Sequence, residues 1–168
     1  MNALMSEPFL FTLDNEQATQ QLAAALARAL AAPAVIYLHG NLGAGKTFFT
    51  RSFLAALGFK GRVKSPTFTL MEPYAITNNA LVKNVYHFDF YRFTAGSDWR
   101  DAGFEEYLPG SGIAIVEWPE NATGLPTPDI DLHLAHGEEE TIRFATLHTH
   151  SDKAKKAATD IGKLGAAL

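Results

Sequence analysis

Cysteine is absent from the 168-residue chain, which excludes a disulfide framework and any zinc site built on thiolates. Long apolar runs are missing as well. No segment approaches the roughly 20 residues of a membrane-spanning helix, and the opening MNALMSEPFLF lacks the basic start and extended apolar core of a signal peptide. A cytoplasmic protein with no membrane association is therefore expected. Nor is there an excess of positive charge. A net charge of −4 and a pI near 5.8 argue against a chain that grips nucleic acid by itself, because such binding needs clustered Lys and Arg to displace counterions. One local exception, Arg51 with the alternating Lys60, Arg62 and Lys64, reads either as a solvated strand edge or as a contact for RNA or a partner.

What is present is an ordinary globular composition, 47% hydrophobic and 19% charged, without internal repeats. The length suits a single domain over residues 1–168. Within it, Val35-Ile-Tyr-Leu-His-Gly40-Asn-Leu-Gly-Ala-Gly45-Lys46-Thr47 joins an apolar, β-favouring run to the G-x-x-x-x-G-K-T (Walker A) pattern. Gly40, Gly43 and Gly45 permit backbone angles and close approaches that let successive N–H groups face an anion. Lys46 is placed to reach β- and γ-phosphates, and the Thr47 hydroxyl to ligate Mg²⁺. The helix that starts there aims its positive end at the same charge. Phe49, Phe53 and Leu57 fall on one face of that helix, and Phe48, Phe49 and Phe53 are expected in the core.

Around this loop the expected elements are a strand over Phe9–Leu13, a helix from Asp14–Gln17 to about Ala31, and a strand over Ala34–Leu38. The phosphate-loop helix follows, capped near Gly58. Phe68–Ala75 and Leu81–Asp89 read as an antiparallel hairpin, Ser97–Tyr107 as helical and broken at Gly103, and Ile113–Val116 as a buried strand. Pro119–Pro128 reads as a surface loop and Ile130–Leu134 with Thr141–Leu147 as a closing hairpin. From about Asp152 an Ala/Lys helix of uncertain order remains, with no chemistry expected of it. The predicted class is α/β: a three-layer fold of the P-loop NTPase type whose mixed, mostly parallel sheet carries antiparallel hairpins.

Three further segments bear on chemistry. Ile113-Ala-Ile-Val-Glu117 runs four apolar residues into a carboxylate, which suits an acid holding Mg²⁺ opposite Thr47, with Trp118 as an aromatic wall. Ser65-Pro66-Thr67-Phe68 is either a γ-phosphate-sensing switch or a plain turn before a strand. In Tyr86-His87-Phe88-Asp89-Phe90-Tyr91-Arg92, alternation places His87, Asp89 and Tyr91 on one face and turns Phe88 and Phe90 toward the core. Asp89 is then an acid that contacts the metal through its waters, or a base that orients water, and His87 alone reads as structural. His133, His136, His148 and His150 are set aside as metal ligands.

The set LHGNLGAGKTFFTR, SPTFTL, YHFDFYR, GFEEY and IVEWPE, in this order, closely resembles the bacterial TsaE (YjeE) family of small ATPases over about residues 9–147. Members of that family bind ATP and Mg²⁺ and serve synthesis of N6-threonylcarbamoyladenosine beside the tRNA anticodon, with the TsaB and TsaD proteins and with TsaC upstream. The resemblance implies phosphate binding by Leu42, Gly43, Ala44, Gly45, Lys46 and Thr47, and Mg²⁺ coordination by Thr47 and Glu117. It implies a switch at Ser65 and Thr67, a functional acid at Asp89, and an adenine-side helix start at Glu16. Asn41 stands where the family usually has Asp, which removes a charge. ATP or ADP would be the nucleotide and TsaB and TsaD the partners, with tRNA served indirectly and either Asp89 or Glu117 orienting water. Arg92 and Arg100 are the candidate arginine fingers.

Rival readings share the phosphate loop. A small-molecule kinase would add an Arg-rich lid and an acceptor pocket, neither of which is visible in the sequence. A regulatory GTPase would carry D-x-x-G and N-K-x-D, and the chain has neither. A nucleotide-gated adaptor with incidental hydrolysis stays open.

Overall fold

The computed structural model describes residues 6–163. One seven-stranded sheet runs through them in the order β1-β7-β6-β2-β5-β4-β3. The strands are β1 (Phe9–Leu13), β2 (Ala34–His39), β3 (Met71–Ala75), β4 (Asn84–Asp89), β5 (Ile113–Glu117), β6 (Ile130–His136) and β7 (Arg143–Thr149). The centre, β6-β2-β5-β4, is parallel; β3 on one side and β7 and β1 on the other pair antiparallel. Among the described residues no helix is long and apolar enough to cross a membrane.

Alternation along the central strands decides which side chains go to which face. Ala34, Ile36 and Leu38 of β2, with Ile113 and Ile115 of β5, join the larger core under α1 (Glu16–Ala29) and α2 (Lys46–Ala56). Val35, Tyr37, Ala114, Val116 and Phe88 point the other way, onto Trp99 of α3 (Asp98–Asp101) and onto Phe104 and Leu108 at the following 3₁₀ turn. That second layer covers β2, β5 and β4. Phe49 and Phe53 are fully buried as their helical spacing requires.

The predicted elements stand, with differences at their edges that have local causes. Strand β3 begins at Met71 rather than Phe68, because the Leu70 N–H bonds back to the Pro66 carbonyl at 2.7 Å and Leu70 sits at φ 68°, closing a turn. Phe68 is left 79% exposed. Strand β4 begins at Asn84 because the Asn79 side chain accepts from the backbone N–H groups of Leu81 and Val82, holding that stretch in a turn. Lys60, Arg62 and Lys64 are exposed on irregular backbone, so they do not line a strand edge. The tail is a packed helix: α4 (Asp152–Lys163) buries Ala154, Ala157, Ala158 and Ile161, three small residues and one aliphatic at helical spacing, on the side that meets α1 and β7. Gly103, at φ 81°, separates α3 from the 3₁₀ turn, which is the break the sequence led one to expect.

Candidate functional site

The C-terminal ends of parallel strands are where an open α/β sheet presents its loops, and here β2, β4 and β5 end together. Beyond them lies a cavity of about 890 Å³. Register accounts for its acidic wall: Asp89 and Glu117 are cross-strand partners at the ends of β4 and β5, and both face the side occupied by α2. They are only 4% and 3% exposed.

The loop from Gly40 to Lys46 forms the opposite wall. Gly40 cannot be replaced without movement, since a Cβ there would lie 2.5 Å from the Leu134 carbonyl oxygen and 3.0 Å from Ala44 Cβ. A Cβ on Gly45, at φ 104°, would meet nothing within 4 Å. The loop is thus packed tightly behind and open toward the cavity, as a backbone cradle must be. The Lys46 ammonium donates to the carbonyls of Gly40 and Asn41 and lies 4.4 Å from the centre of the Trp118 ring. Burial lowers the Lys46 pKa, against the opposing pull of Glu117, Glu120 and Asp89.

Two hydrogen-bond chains organise the acids. Thr47 Oγ1 donates to Glu117 Oε1 at 2.9 Å, and His87 Nε2 reaches the same oxygen at 2.9 Å. Because a carboxylate only accepts, His87 carries its proton on Nε2. Its Nδ1 is buried without a partner among the described residues. On the second chain, Thr67 Oγ1 donates to Asp89 Oδ2 at 3.1 Å, and the Tyr91 N–H donates to Asp89 Oδ1 at 2.9 Å. With the Thr67 proton committed to Asp89, the Ser65 hydroxyl donates to Thr67 Oγ1 at 2.9 Å. Burial raises the Asp89 pKa, with the negative charge of Glu117 adding to it and the bonds from Tyr91 and Thr67 working against it.

The residues expected to bind nucleotide and metal or to act on the phosphates border this one cavity: Leu42, Gly43, Ala44, Gly45, Lys46 and Thr47 from the loop, Ser65 and Thr67 from the turn, Asp89 and Glu117 from the strand ends, and Glu16 from the start of α1. Ser65-Pro66-Thr67-Phe68 leads into the turn closed by the Leu70 N–H on the Pro66 carbonyl, and that turn delivers Thr67 to Asp89. Leu70 and Trp118, at φ 68° and 57°, are non-glycine residues in the left-handed region on either side of the acids, the kind of strain that collects at working sites.

Some placements differ. Phe48 is half-buried and lines the cavity instead of joining the core, because it precedes the core-facing Phe49 by one position, about 100° around the helix. Neither Arg92 nor Arg100 lines the cavity: Arg92 stacks over Phe68 at 4.1 Å and Arg100 pairs with Glu105 at 3.0 Å. The arginine that does line it is Arg143, which donates to the Gly43 carbonyl from β7. Its position in a polar, alternating strand gave no sign of this. His87 did carry a signal, its shared face with Asp89.

A family model described as threonylcarbamoyl adenosine biosynthesis protein TsaE matches residues 13–145. The chain is 40% identical over 106 residues to the tRNA threonylcarbamoyladenosine biosynthesis protein TsaE of Haemophilus influenzae, a match spanning 62% of this chain and 65% of that protein. It is 34% identical over 149 residues to the protein of the same description from Rickettsia felis, covering 86% and 82% of the two. Among solved structures, Bacillus subtilis YdiB superposes with a TM-score of 0.75 at 28% identity, over 94% of this chain and 95% of that one.

Proposed function

The chain belongs to the TsaE family of threonylcarbamoyladenosine biosynthesis proteins, and on that footing we propose that it is a Mg²⁺-dependent ATPase working as one unit that drives the TsaB and TsaD proteins in tRNA modification. The observation that carries this reading is the convergence of Lys46, Thr47, Glu117 and the Thr67–Asp89 pair on a single cavity. The donor set fits the metal: Thr47 Oγ1 and Glu117 Oε1 are hard oxygens 2.9 Å apart. Neighbouring ligands of an octahedral ion at about 2.0–2.1 Å are separated by roughly 2.9 Å. Bound there, Mg²⁺ would neutralise charge on the β- and γ-phosphates.

Each residue then has a task. The loop amides and Lys46 hold the phosphates in line and stabilise the charge that builds on them. His87 fixes Glu117 toward Thr47. Asp89, anchored by Thr67 and the Tyr91 amide, orients the attacking water, and Glu16 lies toward the adenine end. ATP and ADP are favoured over GTP, since no guanine-reading motif is present. Titration of ATP, ADP, GTP and GDP with and without Mg²⁺ tests this directly, and GDP binding as tightly as ADP would refute it.

His87 is a positioning residue, and its replacement by Ala is expected to lower kcat about tenfold while KM for ATP changes little. An equal loss in both would mean that it only supports the fold. Thr67 and Ser65 are proposed to report the γ-phosphate through the exposed turn that carries Phe68. A differential of about 1.4 kcal/mol between nucleotide states would change partner occupancy tenfold. Calorimetry against the TsaB and TsaD proteins should therefore show tighter binding in ATP than in ADP, with Thr67→Ala narrowing the gap. Identical affinities in both nucleotides would reduce the segment to a turn.

A further inference from the structure

On the sheet face turned away from α1 and α2, beyond the reach of the thin second layer, lies a cluster that the nucleotide site does not use. His39 ends β2, Asp131 and His133 alternate on β6, and His148 and His150 come from the end of β7. Register brings them together, because His39 pairs with His133 and Asp131 with His148. One ligand atom from each of His39, Asp131 and His133 lies within 4.8 Å of the others. We propose that these three side chains form a binding site for a divalent transition metal ion of the zinc class.

Donor chemistry supports the choice of ion. Two imidazoles and one carboxylate suit zinc, cobalt or nickel, and a tetrahedral ion would keep its last position for water. His39 Nε2 and Asp131 Oδ1 are 2.6 Å apart. Ligands at 2.0–2.1 Å from a tetrahedral ion are separated by roughly 3.3 Å, so the ion would replace the shared proton with a spread of well under 1 Å.

The surroundings are those that metal-bound histidines and carboxylates have. With Nε2 given to the ion, His39 carries its proton on Nδ1, which faces Glu120 Oε2 at 3.7 Å as an outer carboxylate. His150 Nε2 reaches the other oxygen of Asp131 at 2.8 Å and orients it. His133 stacks on His39 with ring centres 4.1 Å apart and planes 6° from parallel, so the exposed His133 ring turns out of the stack to aim a nitrogen at an ion held by His39 and Asp131; the His148 ring stands edge-on to it at 5.6 Å. Because the chain has no cysteine, thiolates do not compete for such an ion.

The test is calorimetric titration of the full chain with Zn²⁺ in excess Mg²⁺, supplemented by the visible spectrum on Co²⁺ addition. One Zn²⁺ per chain is expected, with the intense absorption of tetrahedral Co²⁺. Asp131→Asn and His133→Ala should each weaken binding at least tenfold while retaining the wild-type far-UV circular dichroism. His136→Ala and Glu117→Gln, which leave the cluster intact, should bind as wild type does. Absence of a saturable site, or unchanged affinity in His133→Ala and Asp131→Asn, would overturn the proposal. So would loss of the site in Glu117→Gln, which would move the ion to the other face.

Discussion

Replacing Lys46 with alanine is expected to weaken ATP binding by about 2–3 kcal/mol, roughly 30- to 150-fold, and to abolish measurable turnover. Lys46 is the loop's cation, 5% exposed, and its ammonium is held by the Gly40 and Asn41 carbonyls beneath the Trp118 ring. A charge already desolvated in place needs little reorganisation to meet a phosphate. Removing it also leaves two carbonyls without their donor, so unfolding by denaturant should accompany the titration to separate lost affinity from a loosened loop. Unchanged affinity for ATP would take away the basis for reading Gly40–Thr47 as a phosphate cradle.

Glu117→Gln should do something different. Glutamine can still accept from Thr47 and His87, so the fold and the hydrogen-bond pattern around the position are expected to survive, while the negative charge that would hold Mg²⁺ is gone. Turnover should fall about 10²-fold or more, the Mg²⁺ dependence should flatten, and affinity for ADP without Mg²⁺ should stay within a few-fold of wild type. Glu117→Ala would confuse the result, since it strands the buried His87 Nε2 and the Thr47 hydroxyl. Equal loss of binding and turnover in Glu117→Gln would point to a structural carboxylate instead of a metal ligand.

Much of this arrangement was legible beforehand because it rests on local signals. Alternation in β4 put Asp89 and His87 on one face, four apolar residues delivered Glu117 to the end of a buried strand, and the glycine spacing marked the loop. What could not be read was anything that depends on register between distant strands. Nothing in the local pattern of Arg143 says that β7 will swing its guanidinium to the Gly43 carbonyl. Nothing in Asp131-Leu132-His133 says that His39 is its neighbour, since the two β-strands lie about ninety residues apart in the chain. The Pro66–Leu70 turn was ambiguous for a related reason: its role depends on the partner of Thr67, which lies 22 residues away. The burial of helix α4 is not legible in its sequence, because alanines at helical spacing signal burial only once a partner surface is known.

On the proposed function, this chain hydrolyses ATP in service of the TsaB and TsaD proteins. Single-turnover hydrolysis of ATP by the full chain with Mg²⁺, measured alone and with both proteins from the same organism, tests it most directly. Slow hydrolysis alone, accelerated when both partners are added and abolished by Lys46→Ala, is the predicted result. Hydrolysis that is absent under every condition, or whose rate is indifferent to the partners, would contradict it.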